Sequence, residues 1–265
     1  LTHADLDFDQ TGAVFDDSTP ALEFRIATGV YLPRLTGTTT LGPMASARDL
    51  DFKDDLDLNG SESILNIEVT LIKDELWELQ ISGFDFDTST HGTFDSTSGF
   101  GNLTLMPGDE YRAEFDMSSY GIELARRQWK FYEDDKTVDL TFLPTLGARA
   151  YNIRQMVDQV GVGREVIEED YLNLYLGLKL DLEWQARETI SWLERLQIEA
   201  GFFIGPVLGA DNGFGWSVRA TLNFYFNEHM SLLFGYRLYE LNIEDDEFEL
   251  DGGLQGLFIG GVYRF

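Results

Sequence analysis

Apolar residues recur at every second position through much of this chain. Leu172, Leu174, Leu176, Leu178, Leu180, Leu182 and Trp184 alternate with Asn173, Tyr175, Gly177, Lys179, Asp181 and Glu183. A period of two puts the first set on one face of a strand and the second on the other. The run is long enough to cross a hydrocarbon layer at a tilt, which takes ~9–11 residues, and roughly twice the usual strand of a soluble sandwich.

The pattern repeats. Leu22, Phe24, Ile26, Thr28, Val30 and Leu32 alternate with Glu23, Arg25, Ala27, Gly29 and Tyr31. Similar alternation marks 65–71, 196–204 and 216–226. The strands expected are 21–34, 63–73, 76–86, 111–132, 136–152, 170–185, 193–205, 214–227, 230–243 and 254–265. Connections 35–62, 87–110, 153–169, 206–213 and 244–253 are longer than their alternates, among them Asp74-Glu75, Glu133–Asp135 and Glu228-His229. Long loops at one end and short turns at the other predict an all-β fold: a closed antiparallel up-and-down transmembrane β-barrel, the short turns periplasmic. Two segments are irregular. In 111–132 the apolar phase changes at Ser118-Ser119, which a β-bulge would repair. Residues 186–195 also suit a short interfacial helix. These choices allow eight or twelve strands in place of ten. Residues 1–20 are expected to be an N-terminal periplasmic segment and 21–265 the barrel.

Composition narrows the function. The net charge of −28 disfavours nucleic acid, whose binding needs a basic surface. The absence of cysteine excludes disulfides and thiolate chemistry. The longest uncharged stretch near the middle, 200–210, is about half of the ~20 residues a spanning helix needs. The start at Leu1 is what an exported chain would show after removal of a leader.

Aromatics follow the turns. Trp77, Trp129, Trp184 and Trp192 fall beside proposed short turns, with Tyr263 and Phe265 at the same end; Trp216 lies near a long loop. Amphipathic rings favour the membrane–water interface, so the first six are expected to form an aromatic girdle. The sequence ends GGVYRF, with Gly260, Tyr263 and Phe265 spaced as in a barrel-assembly signal. The segment FGYRLYELNIEDDEFELDGGLQGLFIGGVYRF resembles the closing hairpin of small proteobacterial-type outer-membrane barrels, of OmpA-like or omptin size. LDFKDDLDLNG at 50–60 resembles their first long loop. The resemblance implies a bacterial outer-membrane location and contact with outer-membrane lipid, lipopolysaccharide and the barrel-assembly machinery. It carries no catalytic residue and no substrate.

Candidate chemistry is sparse. The lumen face is expected to carry Arg25, Arg149, Lys179, Arg219, Arg237 and Arg264, opposed by Glu23, Glu68, Glu78, Asp181, Glu183 and Glu199. Ten strands should enclose little or no pore. The run DLDLNG at 55–60 opens like a calcium loop, but Asn66 stands where the bidentate acid belongs. It is read as solvated surface, with a weakly bound calcium at Asp55, Asp57 and Asn59 as the alternative; no other cofactor is expected. Asp85, Asp87 and His91 resemble one acidic–histidine pair of omptin proteases, without a second pair. No proposed strand carries a histidine to activate a serine. A narrow channel or structural envelope protein is therefore expected, not an enzyme. The alternative is a surface barrel that binds an envelope protein through its acidic loops.

Overall fold

The structure, a computed structural model, describes residues 22–42, 49–127, 129–132, 138–245 and 247–265. The expected segment 1–20 and the expected turn at Glu133–Asp135 lie outside the described residues.

In chain order the strands are β1 (Leu22–Leu41), β2 (Leu50–Asp51), β3 (Ile64–Lys73), β4 (Trp77–Thr93), β5 (Ser98–Phe100), β6 (Leu103–Leu105), β7 (Glu110–Arg126), β8 (Trp129–Tyr132), β9 (Val138–Gln159), β10 (Gly163–Gln185), β11 (Arg195–Leu208), β12 (Asn212–Tyr225), β13 (Met230–Asp245) and β14 (Phe248–Arg264). Ten of them close an antiparallel up-and-down barrel, β1-β3-β4-β7-β9-β10-β11-β12-β13-β14, with β14 returning to β1. Closure gives each strand of the ring a neighbour on both sides, so none is left as an edge strand, as sheet that crosses lipid requires. β2 is a short addition to β1, β8 pairs with β9, and β5–β6 is a small separate hairpin.

The wall turns inside out along its length. On β7, Tyr120, Ile122 and Leu124 face outward and are exposed, while Gly121, Glu123 and Ala125 face the lumen. Beyond Ser118-Ser119 the outward residues are Asp116, Glu114 and Arg112, and the buried inward ones are Met117, Phe115, Ala113 and Tyr111. The register against β4 and β9 runs without a slip through this point, so there is no bulge. The hydropathy changes phase because the surroundings change, from lipid outside and a polar lumen inside to water outside and an apolar side-chain core inside. Other strands of the ring switch in the same way: β1 between Leu32 and Arg34, β9 between Ala150 and Asn152, β13 between Leu238 and Glu240. One part of the barrel is thus apolar outside and polar inside. The other is an ordinary water-facing β structure with an apolar core.

This second part also lengthens the strands. Segments 153–169, 206–213 and 244–253, expected as connections, are mostly strand, with β9 and β10 joined through 160–162 and β11 and β12 through 209–211. Gly161 and Gly209 supply positive φ at these two turns (79° and 101°). At the opposite end β3 and β4 are joined by Asp74, Glu75 and Leu76; Asp74 and Glu75 both take positive φ, and the Leu76 amide donates to the Lys73 carbonyl at 3.0 Å, closing a tight turn. Residues 186–194 form hydrogen-bonded turns, not the alternative helix. No helix among the described residues is long and apolar enough to cross a membrane.

Candidate functional site

Among the described residues, the charged side chains of the strands converge in the lumen. Near the turn end, Glu23 bridges Arg25 and Arg264. Arg195 pairs with Glu183 at 3.1 Å, its guanidinium 4.1 Å from the Tyr225 ring centre. Deeper, Lys179 pairs with Glu78, and Arg127 reaches Asp181 at 3.3 Å and Glu78 at 3.7 Å. Gln197 donates to Asp181 Oδ1 at 2.8 Å and accepts from Tyr225. Arg219 lies 3.1 Å from Glu199 and 3.4 Å from Glu123, which also accepts from Tyr175. Arg237 pairs with Glu68 and donates to Asn66 Oδ1 at 3.0 Å; Gln80 donates to Glu68 Oε2 at 2.7 Å.

Eleven of the twelve charges expected in the lumen take part in these ion pairs. Arg149 differs from the rest: it donates to Ser119 and Ser82 hydroxyls at 3.0 and 2.7 Å and lies 5.0 Å from the Tyr239 ring centre, with no carboxylate of the described residues in salt-bridge range. Glu123, Arg127 and Arg195 belong to the network and were not expected. Sequence held a signal for Glu123: the outward apolar set Tyr120, Ile122, Leu124 fixes its direction.

A hollow of ≈ 340 Å³ lies at the turn end beside Arg195, Tyr225 and Arg264, but two voids deeper in the lumen are small. One, lined by Glu68, Glu78, Glu199 and Arg219, holds ≈ 60 Å³, and a second, between Glu123, Arg149, Tyr175 and Tyr239, holds ≈ 10 Å³. The latter is about the room of a single water molecule.

Above this layer the lumen is filled with hydrocarbon. The acidic segment 49–58 folds over the mouth with Leu50, Phe52, Leu56 and Leu58 buried beneath it. Phe52 meets Phe115 edge-on at 5.2 Å, and Tyr111 donates to the Asp55 carbonyl at 3.3 Å. The second connection adds Phe94, Phe100, Leu103 and Leu105 to the same core, against Phe86, Leu241 and Leu250. Asp51 caps its own turn through the amides of Lys53 and Asp54 at 2.8 Å, and Asp55 accepts from the Asp51 amide. Asn59 donates to Asp57 at 3.4 Å. Among the described residues no three carboxylates or histidines gather to hold a metal ion.

At the turn end, Trp77 opens β4 under the Arg126 guanidinium at 5.3 Å. Trp184 closes the outward row of β10 and is half-buried, and Trp192 stacks near Phe226 at 6.1 Å. Tyr263 and Phe265 are exposed and meet at 4.6 Å, with Phe24 beside Phe265 at 5.6 Å. The Trp129 side chain lies outside the described residues.

No protein-family model matches the chain, and no curated protein sequence matches it. Among solved structures it is similar to the outer membrane protease OmpT from Escherichia coli, with a TM-score of 0.51 and 7% identity over 94% of this chain and 99% of that one. The fold is that of a small outer-membrane β-barrel. Ail, the attachment invasion locus protein of Yersinia pestis, aligns at a TM-score of 0.38 and 11% identity over 92% of this chain and 99% of its own, which adds no argument. Identity this low conveys fold and not activity. Asp85, Asp87 and His91 stand on β4, not in a loop, and face away from the lumen. The residue across from His91 is Arg112.

Proposed function

We propose that this chain is an integral outer-membrane protein that does not conduct and that holds a rigid acidic β-platform outside the cell. The plugged end faces out and the turn end faces the periplasm, where Trp77, Trp184, Trp192, Tyr263 and Phe265 sit as an interfacial girdle. One observation carries this reading: the outer mouth is packed solid with side chains such as Phe52, Leu56, Phe100 and Leu105, all fully buried. An ion entering there would have to leave water for hydrocarbon, which costs far more than thermal energy. Building such a structure beyond the lipid serves display, because a bare membrane plug needs none of it. The platform's excess of carboxylates suits a cationic protein or envelope partner. Asp85, Asp87 and His91 point away from the lumen, and the residue across from His91 is the cation Arg112, so the reading is non-catalytic.

Planar-bilayer recording tests it. The purified barrel is expected to insert without a conductance step at any voltage. A clean, ion-selective step from the intact protein would overturn the proposal.

A further inference from the structure

The wall is not zipped over its full height. β3 and β4 pair from Lys73↔Trp77 only as far as Ile67↔Gly83, yet β3 runs on to Ile64 and β4 to Thr93. Where pairing stops, a groove of ≈ 550 Å³ opens on the outside of the barrel. It is lined by outward-facing Leu65, Ile67 and Ile81 together with inward-facing Ser82 and Phe84, so it cuts into the thickness of the wall. Leu65, Ile67 and Ile81 are 62%, 46% and 53% exposed. They are continuous with the apolar belt of the barrel, and in a bilayer such a surface is covered by lipid.

The upper rim has a different chemistry. The Tyr120 ring lies against Gly83, where an added Cβ would stand 2.9 Å from its Cδ1. Its hydroxyl donates to Asp85 Oδ1 at 3.2 Å. Asp87 follows on the same face and sits across from Asp116. The neighbouring cations are engaged: Arg154 by Asp116 at 2.7 Å and Arg112 by Glu114 at 2.5 Å. The rim is therefore a negative, aromatic-sided notch directly above an apolar trough. It favours a head group that ends in an ammonium over one that is only anionic, because the carboxylates hold the ammonium by charge and the ring face by cation–π attraction.

We propose that this groove seats one outer-leaflet lipid whose head carries a primary ammonium, with an acyl chain along Leu65, Ile67 and Ile81 and the ammonium at Asp85 and Asp87 beside Tyr120. The inference rests on the membrane-spanning reading above. Native mass spectrometry of the barrel, released from nanodiscs of equimolar phosphatidylethanolamine and phosphatidylglycerol, tests it. The native chain is expected to retain one phosphatidylethanolamine with a preference of about fivefold, the size of an exposed charge contact. Asp85→Asn/Asp87→Asn, at exposed positions that leave folding intact, should erase the preference. Ile81→Trp, which fills the trough, should lower retention of both lipids. Equal retention of the two lipids by the native chain, or retention unmoved by both variants, overturns the proposal. A chain that stays monodisperse without any amphiphile would instead overturn the membrane reading itself.

Discussion

At the scale of single residues, the lumen matters because its charges have almost no water to fall back on. Arg237 is 2% exposed and is held by Glu68 and Asn66. Removing one partner of such a pair strands the other, whereas replacing both can be nearly neutral. Arg237→Met is expected to destabilise the barrel by about 3–5 kcal/mol, and Arg237→Met/Glu68→Gln to recover most of that loss. The temperature of the gel-mobility shift between folded and unfolded forms measures both. Equal damage from the single and the double variant would mean that packing, not charge, dominates there. Outside the membrane the sign of the charge effect reverses. Burial, then repulsion from Asp49, Glu244 and Asp251, holds the Glu249 carboxyl above the usual glutamate range. A raised folded-state value means that folding favours the protonated form. Its stabilisation is full below the ordinary range near 4.5 and is lost as pH rises through the elevated value. Glu249→Gln should therefore melt higher than the native chain at neutral pH and together with it at pH 4. A gap between the two that is independent of pH would refute the assignment.

At the scale of elements, the seam where β14 returns to β1 is built on backbone contact. A Cβ at Gly260 would lie 2.3 Å from the Thr28 carbonyl oxygen, and one at Gly29 would lie 2.3 Å from that of Ile259. These two glycines face each other in register, so neither strand can carry a side chain there without forcing the seam apart. Next to them, a Cβ at Gly261 meets nothing nearer than 3.5 Å. Gly260→Val is expected to cut the yield of folded, heat-shiftable barrel severely, while Gly261→Val leaves it near native; equal yields would show that the seam tolerates spreading. Gly260 was legible from sequence as part of a terminal motif, but this packing role was not. The contrast is general here. The membrane-crossing strands were readable because lipid imposes one uniform exterior, as the row Leu172 to Trp184 shows. The water-facing extension was not, because its alternation has the opposite sense, and on β7 the change of sense looked like a bulge. That error also hid Glu123. Arg127 lies just past the end of β7, and Arg195 falls both in the expected strand 193–205 and in the alternative helix 186–195. The plug was concealed by its own acids: Leu50, Phe52, Leu56 and Leu58 are spaced among five aspartates, and the charges dominated the reading of a segment whose apolar members do the packing.

At the scale of the whole molecule, two barriers stand in series. The outer one is the apolar plug under residues 49–58. The inner one is the layer of Arg149, Tyr175, Glu123 and Tyr239, where the remaining void is ≈ 10 Å³. Resistances in series add, so opening one barrier leaves the path limited by the other. Arg149 is central to the inner layer, since its guanidinium fills the space between Ser82, Ser119 and the Tyr239 ring. Phe52→Ser/Leu56→Ser should let water into the outer mouth, read as faster hydrogen exchange at Phe115 and Tyr111, and still give no conductance step. Adding Arg149→Ala and Tyr239→Ala to those changes removes the second barrier and should produce one, small and cation-preferring, because Glu123 and the acidic platform then line the path. A steady step from the plug variant alone would show that the charged layer is not a seal, and that the hydrocarbon at the mouth is the sole reason the intact barrel stays closed.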